Sequence, residues 1–195
     1  MNTLKTELPN PQVLAALELD PSFPYAKAEK VKFLAFDVDG ILTDGGLYYD
    51  ASGLCMKRFD VQDGVAFKLA QNVGIVMALI TGMESSAVEQ RARALGIEEC
   101  HSGIFDKVAV MEELRKKHSL EWNEIAYTGD DWLDIPLLRR VGLAMTVADA
   151  QPEVRGLVDY VSPLGGGRGA VRQLVRHVLA AQGKLEPQLR QWASV

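Results

Sequence analysis

Apolar residues gather in short blocks along this chain, and the blocks alternate between two periods. Residues 31–38 are a nearly unbroken apolar run with β-branched and aromatic members, closed by Asp39-Gly40. A run that short and so bounded predicts a buried strand rather than a helix. Residues 75–80 read the same way. Between them Val65, Ala66, Leu69, Ala70 and Val73 fall at helical spacing over 63–73, with Gly74 at the stop position. The alternation then repeats: helix 85–95 closed by Gly96, short strand 99–103, helix 107–118, strand 125–127. A helix over 133–141 stopped by Gly142, a strand over 143–147, a helix over 152–156 and a strand at 160–161 follow. After Gly165-Gly166-Gly167 a last helix is predicted over 170–182.

Residues 45–59 break the rhythm. Leu47, Tyr48 and Tyr49 lead into Asp50-Ala51-Ser52-Gly53 and a second short run, which predicts a β-hairpin. Strands alternating with helices at this pitch imply a doubly wound α/β domain over 31–182, a parallel sheet with helices on both faces. Only the hairpin and one helix separate the first two long strands, so no large cap domain fits there. Residues 1–30 hold Pro9, Pro11, Pro21 and Pro24 and a short amphipathic stretch at 13–19, and read as a loosely docked extension. Residues 183–195 read as a polar tail.

Composition narrows the class. The 195 residues are 48% hydrophobic and 24% charged with a net charge of −5, and no basic stripe offsets the acidic balance. This argues for a soluble protein with no nucleic-acid partner. Cys55 and Cys100 show no C-x-x-C spacing and read as free thiols in a reducing compartment. No apolar run reaches the roughly 18 residues of a membrane span, and the start lacks the order of a secretory signal. The cytoplasm is the expected compartment.

Chemistry enters at the strand ends, where open parallel sheets collect functional residues. Asp37 and Asp39 end the first strand, Thr81-Gly82 the second, and Gly129-Asp130-Asp131 a later one, while Lys107 opens a helix. Each alone has an ordinary explanation: a turn, a strand exit, a solvated lysine, a helix cap. Together they place carboxylates, a hydroxyl and an ammonium along one edge.

Asp37-Val38-Asp39-Gly40, Thr81-Gly82, Lys107, and Gly129-Asp130-Asp131 with Asp134 resemble the four signature motifs of the haloacid dehalogenase superfamily. The resemblance implies hydrolysis of a phosphate monoester with Asp37 as nucleophile and Asp39 as general acid and base. It further implies Mg²⁺ held by Asp37, the Asp39 carbonyl and Asp130, with Asp131 and Asp134 behind them. Thr81 and Lys107 would grip the transferring phosphoryl group.

From residue 28 onward the chain is also similar to one capless subfamily, the 3-deoxy-D-manno-octulosonate 8-phosphate phosphatases of lipopolysaccharide precursor synthesis. Phe59-Asp60-Val61-Gln62-Asp63-Gly64, Val147-Ala148-Asp149-Ala150, Gly166 to Arg172 and Ala181-Gln182-Gly183-Lys184-Leu185 carry that likeness. It implies a homotetramer built around the hairpins and a phosphorylated sugar acid as substrate. Asp39, Asp60, Val61, Gln62, Asp63, Gly64, Lys68, Arg91, Lys107 and Arg168 would then face that substrate. The subfamily usually has Arg directly after Thr-Gly, where this chain has Met83, and Lys68 stands where Arg is frequent. A thioether cannot replace a forked guanidinium on a carboxylate. Met83 therefore keeps a nonulosonate 9-phosphate phosphatase as a rival reading, and the resemblance adds a second, a non-catalytic assembly domain related to cytidylyltransferase-fused homologues. A signalling receiver domain has the wrong motif order.

Overall fold

The computed structural model describes residues 19–193. The stretch expected at 13–19 lies outside them save for Leu19. Six parallel strands form the central sheet: β1 (Phe33–Phe36), β4 (Val76–Ile80), β5 (Glu99–His101), β6 (Ile125–Thr128), β7 (Leu143–Thr146) and β8 (Tyr160–Val161), in the order β5-β4-β1-β6-β7-β8. β2 (Tyr48–Asp50) and β3 (Gly53–Met56) make the separate antiparallel hairpin.

The period of two decides the layers. Leu34 and Phe36 point into one core with residues of α2 (Val61–Asn72), α3 (Ser86–Leu95) and α7 (Ala170–Ala181). Phe33 and Ala35 point into the other, against α4 (Lys107–Lys117), α5 (Ile135–Leu138) and α6 (Pro152–Arg155). Both faces of β1 are dry, which is why its run is continuously apolar. From β1 the chain builds outward through β4 to β5, then returns to β6 on the other flank. The strand order therefore reverses around β1, and the crevice for a ligand lies at its carboxyl end.

Three expectations change. The helix expected over 133–141 is a 3₁₀ turn, Trp132–Asp134, followed by the four residues of α5. Asp134 folds its carboxylate back onto the chain, and Gly142 N–H bonds to the carbonyls of Trp122 and Ile125 pull the chain early toward β7. The tail carries α8 (Leu185–Ala193), with Leu185 and Gln188 buried against the body. Residues 20–30 are docked rather than loose. Phe23 is buried among the rings of Tyr25, Tyr160 and His177, and α1 (Tyr25–Ala28) follows it. Asp20 N–H donates to His177 Nε2 at 2.9 Å, so the His177 proton sits on Nδ1 and faces the Gln173 carbonyl. Burial draws the His177 pKa below its ordinary value.

Candidate active site

β1 delivers Asp37 to the switch point. Its N–H donates to the Thr128 carbonyl at 2.9 Å, so the strand pairing itself sets where the carboxylate emerges. Lys107, the first residue of α4, reaches in from the far side, with Nζ 2.8 Å from Asp37 Oδ1 and 2.6 Å from Asp134 Oδ1. Tyr127 OH donates to the same Asp134 oxygen at 2.5 Å and lies 3.1 Å from Lys107 Nζ. The other Asp134 oxygen accepts the N–H groups of Asp130 (2.9 Å) and Asp131 (3.1 Å). Asp134 is thus occupied by four donors and holds both Lys107 and the loop after β6.

Asp37, Asp130 and Asp134 each offer a carboxylate oxygen, all within 4.8 Å of one another. Three carboxylates face one ammonium. Burial, offset in part by Lys107, lifts the Asp37 pKa to about 7. Burial and the neighbouring Asp37 and Asp134 lift Asp130 to about 8. Burial alone would lower the Lys107 pKa, but Asp37 and Asp134 outweigh it and the value is raised. The cluster lacks positive charge, and its donors are all oxygen. A hard divalent cation fits both facts.

Two glycines let the loops close on this cluster. A Cβ on Gly40 would stand 2.1 Å from Asp130 Oδ2, and one on Gly166 would stand 1.8 Å from the Gly40 carbonyl oxygen. Thr81 follows β4 almost fully buried; its N–H donates to the His101 carbonyl and its carbonyl accepts from Ile104 N–H. Asp39 emerges half-buried, and both its oxygens accept from Lys57 Nζ at 2.7 Å.

Other residues expected at the substrate have partners within the fold. The Asp63 carboxylate, buried, accepts from Gly169 N–H (3.3 Å) and Arg172 N–H (2.8 Å) at the start of α7. Arg91 donates to the Asp60 carbonyl at 3.0 Å and lies over the Phe59 ring, and it fills the space a Cβ on Gly64 would need. Lys68 donates to the Leu95 carbonyl at the end of α3, at 2.6 Å. The Asp60 carboxylate caps α2 through the N–H groups of Gln62 and Asp63. Val61 and Gln62 are exposed on the first turn of α2, and Arg168 is exposed 3.8 Å from Asp44. Asp131 caps its own 3₁₀ turn. Lys57 and Tyr127 were not legible as site residues. Tyr127 carried a signal, since a tyrosine inside an apolar strand needs a partner for its hydroxyl.

An open parallel sheet with this strand order, ending its strands in D-x-D-G, Thr-Gly and G-D-D-x-x-D and served by a buried lysine, defines an enzyme of the haloacid dehalogenase superfamily. No family model matches the chain. It is 41% identical over 161 residues to the 3-deoxy-D-manno-octulosonate 8-phosphate phosphatase of Escherichia coli K12, covering 83% of this chain and 86% of that one. The Haemophilus influenzae enzyme of the same name is 39% identical over 158 residues, 81% of this chain and 88% of that one. The chain belongs to the 3-deoxy-D-manno-octulosonate 8-phosphate phosphatase family and is a phosphoric monoester hydrolase. Among solved structures, the Moraxella catarrhalis phosphatase in complex with magnesium, phosphate and KDO matches with a TM-score of 0.84 at 37% identity, over 86% of this chain and 97% of that one. The cobalt-bound Haemophilus influenzae enzyme matches with a TM-score of 0.79 at 38% identity, over 82% of this chain and 93% of that one.

Proposed function

We propose that this chain hydrolyses 3-deoxy-D-manno-octulosonate 8-phosphate to the free sugar acid and phosphate, with Mg²⁺, through an aspartyl phosphate on Asp37. The observation that carries this reading is Lys107 Nζ set between Asp37 and Asp134 at 2.8 and 2.6 Å, with Asp130 in the same cluster. Asp37 and Asp130 side chains, with the Asp39 carbonyl, are the residues to hold the ion, since the Asp134 oxygens are already taken by four donors. The ion, when bound, neutralises charge on the phosphoryl oxygens.

The rest falls to the chain's own groups. Lys107 aims one Asp37 oxygen at phosphorus and counters the charge that accumulates there. As the new O–P bond forms, the bond to the sugar oxygen breaks and Asp39 gives that oxygen a proton. In the second step Asp39 takes a proton from a water, which attacks phosphorus and frees Asp37. Thr81 and nearby backbone N–H groups cradle the phosphoryl oxygens.

The same reading places the enzyme in the cytoplasm, in lipopolysaccharide precursor synthesis, as a homotetramer. No helix among the described residues is long and apolar enough to cross a membrane. The hairpin exposes Tyr48, Tyr49 and Met56, and a lone two-stranded hairpin is marginal in water. Burial against symmetry mates resolves this, and light scattering at micromolar concentration tests it: a monomer refutes the assembly. A second reading, a nonulosonate 9-phosphate phosphatase, rests on Met83, half-buried beside Thr81 with its N–H toward the Thr81 hydroxyl at 3.5 Å. A steady-state screen of phosphate release from both sugar-acid phosphates with Mg²⁺ separates the two. Release from neither sinks both.

A further inference from the structure

Lys57 follows directly on β3, at the base of the hairpin, yet its side chain is fully buried, with its ammonium on Asp39. Both Asp39 oxygens lie 2.7 Å from Nζ. We infer that Lys57 is the positioning residue for the acid/base carboxylate, and that it makes the hairpin part of the catalytic frame. The inference rests on the covalent phosphatase reading.

The physical case has three parts. An aspartate has two rotatable bonds, and Asp39 sits past the end of β1, where strand pairing no longer fixes it. A donor shared between both oxygens fixes the direction in which the carboxylate points. A buried ammonium, in turn, needs its partner: desolvating it is costly unless a carboxylate meets it. The pair therefore locks in both directions.

Lys57 is itself held. The adjacent Arg58 donates through Nη1 to the Gly167 carbonyl at 2.8 Å and stands 3.6 Å from Asp44. Gly167 N–H donates to the Ile41 carbonyl at 2.9 Å, inside the loop that carries Asp39. Two successive residues at the hairpin base are thus stitched to the β1 loop, one directly and one through the glycine-rich segment. The hairpin backbone cannot shift without moving the Lys57 anchor.

General acid catalysis matters most for a poor leaving group such as a sugar alkoxide, and least for nitrophenolate. Lys57→Met is therefore assayed on 3-deoxy-D-manno-octulosonate 8-phosphate and on p-nitrophenyl phosphate. With the sugar phosphate, kcat falls about 10- to 100-fold while KM stays within about twofold. With the aryl phosphate, a pre-steady-state burst of nitrophenolate appears, because formation of the aspartyl phosphate is spared and its hydrolysis is slowed. Equal slowing on both substrates without a burst, or a rise in KM at unchanged kcat, overturns the inference.

A double-mutant cycle supplies the second readout. Lys57→Met added to Asp39→Asn costs no further rate if Lys57 acts through Asp39, whereas an additional loss of about tenfold overturns it. Should the methionine variant not fold, Lys57→Gln enters the same comparisons. The wild-type control separates the two levels: phosphate release from neither substrate fails the functional reading itself, whereas a working wild type with an indifferent Lys57 fails this inference alone.

Discussion

Asp63 and Arg172 stand 109 residues apart, and the carboxylate of the first accepts the backbone N–H of the second at 2.8 Å. The contact caps α7 from α2, since Gly169 at the α7 N-terminus has no side chain to do it. Asp63→Ala leaves two partly buried N–H groups without their acceptor and is expected to cost roughly 1–2 kcal/mol of stability. Denaturant unfolding measures this. KM for the sugar phosphate is expected to stay near wild type; a large rise in KM at unchanged stability returns Asp63 to the substrate.

Asp37→Asn keeps the shape of the side chain and removes the nucleophile. The variant folds and turnover is lost. Phosphate release at wild-type rate in a clean preparation excludes a covalent step on Asp37.

The carboxylate cluster sets a pH dependence of known sign. Asp37 and Asp130 have pKa values raised from 3.8 to about 7 and about 8, so the metal-free folded protein holds more protons than the unfolded chain over that window. Their contribution is fully present below about pH 4 and is lost as pH rises through 7 to 8. His177, lowered by burial from 6.5, works the other way: its contribution is present above that value and is lost as pH falls below it. Comparing melting with chelator and with Mg²⁺ cancels His177. The stabilisation by Mg²⁺ is expected to be larger at pH 8 than at pH 5, with proton release on binding near neutrality. Equal stabilisation at both pH values refutes this.

Phe23 is nearly wholly buried and meets three rings from α1, β8 and α7. Phe23→Ala is expected to cost about 3–5 kcal/mol, the range for truncating a buried aromatic. A loss within error in calorimetry means that the 20–30 segment contributes nothing to the core.

Met83→Arg restores a forked donor where the family usually has one. A charge-assisted hydrogen bond is worth roughly 1.5–3 kcal/mol, so kcat/KM on the octulosonate substrate is expected to rise about tenfold or more, with no gain on a nonulosonate 9-phosphate. No change on either means that Met83 does not face the substrate carboxylate.

The meeting of Asp37 and Asp130 was readable because each is a polar residue where an apolar block ends, and strand ends face one edge by construction; Lys107, which opens a helix, joins them there. The structural partners of Asp63, Arg91 and Lys68 were hidden for the complementary reason. These are the start of α7, the Asp60 carbonyl and the end of α3, and no local pattern reports what packs over a helix. Lys57 gave no signal, because a lysine after a short strand is ordinarily solvated. The last helix does leave a trace: Leu185, Leu189 and Trp192 recur at helical spacing within the segment that reads as a polar tail. The early end of α5 does not, since it follows from the way Asp134 turns back on its own loop.

The position of β1 also orders events as the chain is made. Its first partner, β4, pairs Phe33 with Val76, but its second pairs the same residue with Ile125. One flank of β1 stays unsatisfied through nearly half the length of the polypeptide, and such distant pairings are slow to close. A nascent chain halted before Thr128 holds Asp37, Thr81 and Lys107 yet lacks the Thr128 carbonyl that places Asp37 and the Asp134 carboxylate that holds Lys107. Synthesis must pass Asp134 before the fragment acquires a reaction centre, and every truncation short of that point is expected to be inert and to carry an exposed strand edge open to aggregation.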